Sequence, residues 1–469
     1  MTNTLVNKAS ANTKYAKAFY STFLVALLIA WGPINALAYI MPILCLGWFI
    51  LQANSGKTLL YLFSFLLLFS GIILFYETLY YNTQDINFQV GGAILTLITY
   101  SSFIFLIVVP GNLYHSQYSY LRYATIIKYL ILIQATLGII QLFCTMALKS
   151  FSFDGAMGDK VQGTISPLSF LTDKADFGNM AFATNMVFLL LFFAPYVFVY
   201  NRGKLIMAWG AFSVLCASVL HILLAIVGAI FIVGFFFRRF SKVSYKVIYV
   251  LVFVVIGSGL LARLQPANFA QIQNYAIIYA KAKSPKVTST IDVVTQVPNE
   301  YPTMLFLGFG PGQYSSRASL IATGKYLGGM DNNKNYFFLP NDMTEPFKEY
   351  LWDDWLESTN QEAYGGSAMS KPFYSIMSVY TEFGLIALGA ILIYIIYRLT
   401  ELRRVYLKPA SSEKDKFSKF LAFSTALSLL FLLFVCFIEN YLEISQAIFP
   451  GLLMVKYFHS QIYSTESVS

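Results

Sequence analysis

The sequence is poor in charge. Only 12% of its 469 residues are Asp, Glu, Lys or Arg, where soluble proteins carry about a quarter. With 57% hydrophobic residues, 43 Phe and 33 Tyr, and a mean hydropathy of +0.62, a soluble globule would lack the polar surface to cover itself. This excludes a cytosolic enzyme, a nucleic-acid-binding domain and a secreted disulfide scaffold, and leaves an all-α, multi-pass membrane protein. Cysteine and histidine are scarce as well. Cys45, Cys144, Cys216 and Cys436 lie in apolar runs outside any CxxC or Cys/His pattern and read as small buried hydrophobes. His115, His221 and His459 are too far apart in sequence for a His-rich metal site, and no metal or cofactor is expected. The net charge of +9 is then a matter of membrane orientation rather than of a nucleic-acid partner.

Long apolar runs are what the chain has in abundance. A span needs roughly 20 apolar residues. Single spans are predicted at Thr58–Tyr76, Gln89–Val109, Tyr123–Leu148, Met180–Tyr200, Tyr245–Ala262, Phe373–Tyr397 and Phe417–Ile438, with a more polar one at Leu442–Phe458. Two runs are too long for one helix and read as hairpins: Tyr20–Leu51, broken at Gly32-Pro33, and Lys204–Phe237. About 12 helices result. Lys14 and Lys17, an apolar stretch and Ala36-Leu37-Ala38 imitate a signal peptide. The run continues to Trp48, so an uncleaved first hairpin is expected. With both termini placed in the cytoplasm, the short outside turns near Gly32, Glu77–Asp85, Ala217 and Glu439–Tyr441 hold no Lys or Arg. The inside segments collect Arg202, Arg238, Arg239, Arg398, Arg403, Arg404, Lys408, Lys414 and Lys416 among others. That is the asymmetry of the positive-inside rule.

This reading divides the chain into helices 1–9 over residues 1–263, an outer cap over 264–372, and helices 10–12 with a cytoplasmic tail over 373–469. A second, shorter outer loop spans 149–179. A structureless loop as long as 264–372 is improbable, so the cap should carry helices of its own. Asn268–Lys283 reads as one. Thr344-Glu345-Pro346 reads as the start of another, with Thr344 as N-cap and Phe347, Leu351 and Trp355 on one face.

A large outer cap on a polytopic protein suggests chemistry on a lipid-linked, phosphate-bearing substrate, for which arginine is the best side chain. Only Arg263 and Arg317 fall outside. Arg263 ends helix nine and reads either as a membrane-edge anchor or as a phosphate ligand; Arg317 reads either as a solvated loop charge or as a ligand. Arg317 closes Leu307-Gly-Phe-Gly-Pro-Gly-Gln-Tyr-Ser-Ser-Arg317. There Gly308, Gly310 and Gly312 surround a proline in a tight turn whose N–H groups can approach an anion. The turn is neither a Walker loop nor a dinucleotide fingerprint. Asp173, Lys174 and Asp176 sit at the outer start of helix six, where acids also suit a helix N-terminus. Glu382 lies inside helix ten, where an ionisable group marks a functional site or a buried structural hydrogen bond. His221 presents the same pair of readings.

In their joint order these segments resemble the O-antigen polymerase and O-antigen ligase superfamily of bacterial envelope glycosyltransferases. Val161-Gln-Gly-Thr164 through Asp176-Phe-Gly-Asn179 is similar to the family's loop-then-helix segment. Leu307–Arg317 is similar to its GxGPGxY/F motif. Ser370-Lys-Pro372 followed by Val379-Tyr-Thr-Glu-Phe-Gly-Leu-Ile386 is similar to its E-x-G helix start. The resemblance covers roughly residues 120–460. It implies a metal-independent transferase of the bacterial inner membrane, acting at the periplasmic face on undecaprenyl-diphosphate-linked glycans, with membrane lipid and a chain-length regulator as partners. The family's ligases carry a His-Asn pair before the E-x-G helix, where this chain has Phe373-Tyr374. Many members carry Ser-Arg where it has Ser218-Val219, with His221 close by. Both departures favour a polymerase over a ligase. On this resemblance Arg317, then Arg263 or His221, would hold the diphosphate beside Gly308, Gly310 and Gly312, and Glu382 or Asp176 would act as base. A lipid-glycan flippase and a non-catalytic assembly subunit are the readings of other classes.

Overall fold

A computed structural model of the chain describes residues 2–84, 87–109, 117–148, 155–171, 178–237, 259, 263, 284–323, 343–360 and 371–466. Every regular element among them is helical. The membrane-facing part consists of α1 (Thr2–Ala30), α2 (Asn35–Ala53), α3 (Gly56–Gln84), α4 (Val90–Thr99), α5 (Ile104–Val108), α6 (Gln117–Leu148), α7 (Gly178–Tyr200), α8 (Lys204–Ala217) and α9 (Leu220–Phe236). Short cap helices follow: α10 (Pro285–Thr295), α11 (Val297–Glu300), α12 (Met304–Leu307), α13 (Arg317–Ala322), α14 (Glu345–Tyr350) and α15 (Trp352–Asn360). Three long helices close the chain: α16 (Ser375–Leu407), α17 (Glu413–Ile438) and α18 (Ser445–Glu466). Among the described residues six helices are long and apolar enough to cross a membrane, or seven if the bent pair α4 and α5 is one span. The chain is a membrane protein on this composition. The expected span Tyr245–Ala262 and the expected helix Asn268–Lys283 lie outside the described residues, apart from Gly259.

Both long runs break where the residues demand it. Between α1 and α2 the backbone turns through Trp31-Gly32-Pro33-Ile34. Between α8 and α9 it turns at Ser218, which adopts a left-handed conformation at φ 53°. The run Gln89–Val109 departs from a straight span. It bends by 49° through a 3-10 turn at Ser101–Phe103. Thr99 Oγ1 donates to the Thr96 carbonyl at 3.1 Å and Ser101 Oγ to that of Ile98 at 2.7 Å. Hydroxyls folded back on helix carbonyls in this way bend helices.

Helix α7 forms the centre, with 78% of its apolar window buried, whereas α3 is 6% buried and presents its side chains outward. Around α7 pack α6, α8, α17 and α18, and Phe182, Phe188, Phe192 and Phe193 fill the space between them. Pro195 interrupts α7. The Tyr120 hydroxyl spans that interruption, donating to the Phe192 carbonyl at 2.9 Å and accepting the Tyr196 N–H at 3.0 Å. In an apolar surrounding every freed backbone group needs such a partner.

The cap has its own core. Val293, Val297, Met304, Tyr314, Phe347, Leu351 and Trp355 bury against Tyr76 of α3 and against Phe373 and Met377 at the start of α16. Thr344 stands at the N-cap of α14 with Pro346 in the first turn. Its hydroxyl, however, donates to the Gln313 carbonyl at 2.5 Å and so ties the cap helices to the glycine loop.

Candidate functional site

The residues 308–316 make an intramolecular anion cradle. Gly308, Gly310 and Gly312 all have positive φ, and in the loop so shaped the N–H groups of Gly312, Tyr314 and Ser316 converge on one carboxylate, that of Glu382. Gly312 N–H donates to Glu382 Oε2 at 2.8 Å, while Ser316 and Tyr314 N–H donate to Oε1 at 3.3 and 3.4 Å. The loop is also bonded to the α16 backbone, Phe309 N–H to the Thr381 carbonyl at 2.7 Å and Gly310 N–H to the Glu382 carbonyl at 2.9 Å. Its other edge rests on α4, where Gln313 exchanges two hydrogen bonds with the Gln89 backbone, at 2.8 and 2.9 Å.

Two glycines permit this docking. A Cβ on Gly312 would stand 2.1 Å from the Gly92 carbonyl oxygen. Gly384 takes φ 71° and kinks α16 two residues after Glu382; a Cβ there would stand 2.0 Å from the Phe306 oxygen. Replacing Gly312 by alanine adds both a backbone clash and an unfavourable φ. It is expected to cost about 3 kcal/mol or more, read as a lowered thermal midpoint of the purified protein.

The cradle delivers Arg317 to a cavity of about 420 Å³. Its walls come from six separate places in the chain. Pro33, Ala38 and Tyr39 come from the first hairpin; Gln162, Ile165 and Ser166 from the shorter loop; Gly178 from the start of α7; Arg317, Leu320 and Trp355 from the cap; Lys371 and Phe373 from the approach to α16. The last wall is the turn between α17 and α18, with Glu439, Asn440, Ile444, Ser445 and Gln446. The Arg317 guanidinium lies over the Tyr39 ring, 5.1 Å from its centroid. Its backbone N–H donates to Glu443, whose other carboxylate oxygen accepts the Tyr100 hydroxyl at 3.1 Å.

Glu439 is 7% exposed, and its Oε2 has no hydrogen-bond partner among the described residues. Burial raises its pKa above the usual carboxylate range, against the pull of the cations Lys371, Lys286 and Arg317. Burial likewise lowers that of Lys371, with Glu439 opposing. Lys286, buried behind this wall, donates to the Ile438 carbonyl at 2.5 Å and lies 5.7 Å from the Tyr374 ring. Its pKa is lowered to about 8 by burial, with Glu439 opposing and Lys371 adding to the depression.

The shorter loop reaches the cavity because two glutamines of α6 hold its backbone. Gln141 Oε1 accepts the N–H groups of Gln162 and Gly163, both at 2.8 Å, and Gln134 Oε1 accepts that of Thr164 at 2.9 Å. Thr164 Oγ1 donates to the Trp31 carbonyl at 2.7 Å, which joins this loop to the first hairpin.

The expected site residues are thus distributed unevenly. Arg317 lines the cavity. Gly308, Gly310 and Gly312 lie in the cradle, whose amides face Glu382 and not the cavity. Glu382 itself is 0% exposed and outside the lining, so the carboxylate expected to act as base sits as the internal anion of the loop. His221 stands one layer behind, its Nε2 2.8 Å from the hydroxyl of Tyr441. Arg263 is exposed and outside the lining. Asp176, with Asp173 and Lys174, lies outside the described residues.

Lys371, Lys286, Glu439 and Tyr39 were not singled out from the sequence as site residues. The one available signal was the position of Lys371 inside Ser370-Lys-Pro372. Among the described residues no three His, Cys, Asp or Glu side chains gather as a metal site. No family model matches the chain, and neither the curated proteins nor the solved structures contain a match to it.

Proposed function

We propose that this protein is a polymerase of lipid-linked oligosaccharide units, transferring a growing glycan from undecaprenyl diphosphate onto a sugar hydroxyl of another lipid-linked unit. One observation carries this reading: the first hairpin turn, the shorter loop, the cap and the last turn meet at a single cavity. That cavity holds two cations, one buried carboxylate and the rings of Tyr39, Trp355 and Phe373. The hairpin turn and the last turn are Lys- and Arg-free, which is the composition of segments translocated away from the cytoplasm. The finer topology belongs to the same reading: about 12 spans in a bacterial inner membrane, both termini cytoplasmic, and residues 264–372 over the periplasmic face.

Arg317 and Lys371 are assigned to the diphosphate, the first as a bidentate partner and the second as a point charge. The aromatic rings are assigned to the faces of the sugars. The acceptor hydroxyl oxygen forms a bond to the anomeric carbon as the bond from that carbon to the diphosphate oxygen breaks. The electron pair leaves with undecaprenyl diphosphate, and the hydroxyl proton passes to Glu439, the carboxylate that lines the cavity among the described residues. A carboxylate raised by burial acts as a base only above its pKa, so elongation should fall as pH drops through that value; a pH–rate profile of the purified protein reads this.

The test is incubation of the purified protein in lipid vesicles with lipid-linked repeat units. A ladder of longer chains is expected. Transfer to a lipid A-type acceptor without elongation would indicate the ligase-type reaction instead, and translocation without either would indicate a flippase. Reporter fusions after Asn54, Arg202 and Ser411 should read cytoplasmic and one at Asn332 periplasmic; a cytoplasmic reading at Asn332 would overturn the assignment of the cavity to the outer face.

A further inference from the structure

A second cationic cavity lies at the other end of the three closing helices. It measures about 150 Å³ and is enclosed by the later part of α16, the middle of α17, the later part of α18 and Leu106 of α5. The lining residue Arg398 follows the start of α16, Ser375, by roughly 35 Å of helix at 1.5 Å per residue, enough to cross a bilayer's hydrocarbon core. Two basic side chains, Arg398 and Lys456, enter it together with His459, and among the described residues the carboxylate there is Glu401. Glu401 is engaged by Arg398 at 2.7 Å. Lys456 directs one donor to the Leu106 carbonyl at 3.2 Å, and an ammonium has three. The cavity's positive charge therefore exceeds its negative charge.

The rim has a different chemistry. The Tyr394 hydroxyl accepts from Arg398 Nε at 3.1 Å, and the guanidinium lies over the rings of Tyr394 and Tyr397. Both tyrosines are about half exposed, and Ile393 and Ile396 beside them are 70% and 61% exposed. Half-wet tyrosines over exposed isoleucines are the composition of a helix surface at the headgroup level of a bilayer. A cationic pocket that opens onto acyl chains matches a ligand with an anionic head and an apolar body.

We propose that this cavity binds the phosphate head of an anionic phospholipid from the surrounding leaflet, with its chains along the outer face of α16. Basic pockets between membrane helices on the positively charged side are the setting in which such heads bind. The site is separate from the glycan cavity and does not depend on the activity assigned there.

Purified protein in a neutral detergent, probed by native mass spectrometry and by its thermal midpoint, tests the proposal. Phosphatidylglycerol should be retained as an adduct and raise the midpoint, whereas phosphatidylcholine at the same concentration should do neither. Inorganic phosphate should neither shift the midpoint nor displace the lipid. The pair Arg398→Gln and Lys456→Gln together should lower retained phosphatidylglycerol at least tenfold, while Lys414→Gln, an exposed cation at the start of α17, should leave it unchanged. Should the double variant not be recovered folded, Lys456→Gln against the charge-keeping Lys456→Arg makes the same comparison, with loss expected only in the first. Equal retention of the two lipids, undiminished binding by the variants, or displacement by inorganic phosphate would overturn the proposal, the last by making the site one for free anions.

Discussion

Replacing Arg317 by alanine is expected to slow glycan elongation by about 10²–10³, the loss typical of one donor removed from a preorganised site for developing negative charge. The guanidinium is half-buried at the cavity wall and stacked on Tyr39, so under the proposed reaction it would meet the departing diphosphate in surroundings of reduced dielectric. Its backbone is anchored independently of the side chain, through its own N–H to Glu443 and through the Ser316 hydroxyl that caps α13 by accepting the Ser319 N–H at 3.1 Å. Truncating the side chain should therefore leave the loop in place and the protein level unchanged. Lysine at this position keeps the charge without the fork, and should fall between wild type and alanine. Lys348→Ala, an exposed cation of α14, serves as the control for general loss of charge. Arg317→Ala elongating as fast as that control would place the diphosphate elsewhere.

Replacing Glu382 should act on stability first. Its carboxylate satisfies three loop N–H groups at no exposure to solvent. Glu382→Ala leaves all three buried donors without an acceptor, each at about 1–3 kcal/mol, so a total on the order of 5 kcal/mol and a sharply lower yield of folded protein are expected. Glu382→Gln should fail as well, because its amide NH₂ presents donors where the loop presents donors. The distinguishing measurement pairs thermal midpoint with specific activity. A structural anion loses folded protein and activity together, whereas a proton-accepting residue loses activity in protein that melts normally. The latter outcome in Glu382→Gln would return the catalytic assignment to Glu382.

These two residues show what the sequence could and could not disclose. Arg317 stands out because the segments expected on the outer side hold only two arginines and it closes the glycine loop, and it lines the cavity. Glu382 stands out as an ionisable group inside an apolar run, which marks either a functional site or a buried structural hydrogen bond, and its carboxylate accepts three loop N–H groups. The partner was not legible, since the amides of Gly312, Tyr314 and Ser316 lie some 70 residues away along the chain and their direction depends on docking against Gly92 and Gly384. The hairpin turn at Gly32-Pro33 and the start of α14 at Thr344 follow from local residue chemistry and could be read directly, whereas the turn expected near Ala217 follows from the length of its apolar run. The bend between α4 and α5 rests on hydroxyls that turn back to carbonyls in one apolar run, and hydropathy does not register that choice. Lys371 and Glu439 come from distant segments, and only their convergence at one cavity, with Lys286 behind its wall, gives them a common meaning.

The central claim is that the glycan diphosphate is held where the first hairpin turn, the shorter loop, the cap and the last turn meet. The most direct measurement is photocrosslinking with an undecaprenyl-diphosphate glycan carrying a photoreactive group on the sugar next to the diphosphate, followed by peptide mapping. Labelling is expected on the peptides containing Tyr39, Trp355 and Ile444, competed by unmodified undecaprenyl-diphosphate glycan and strongly reduced in Arg317→Ala. Specific, competed labelling confined to peptides outside this cavity, such as those around Tyr394 and His459, would contradict it.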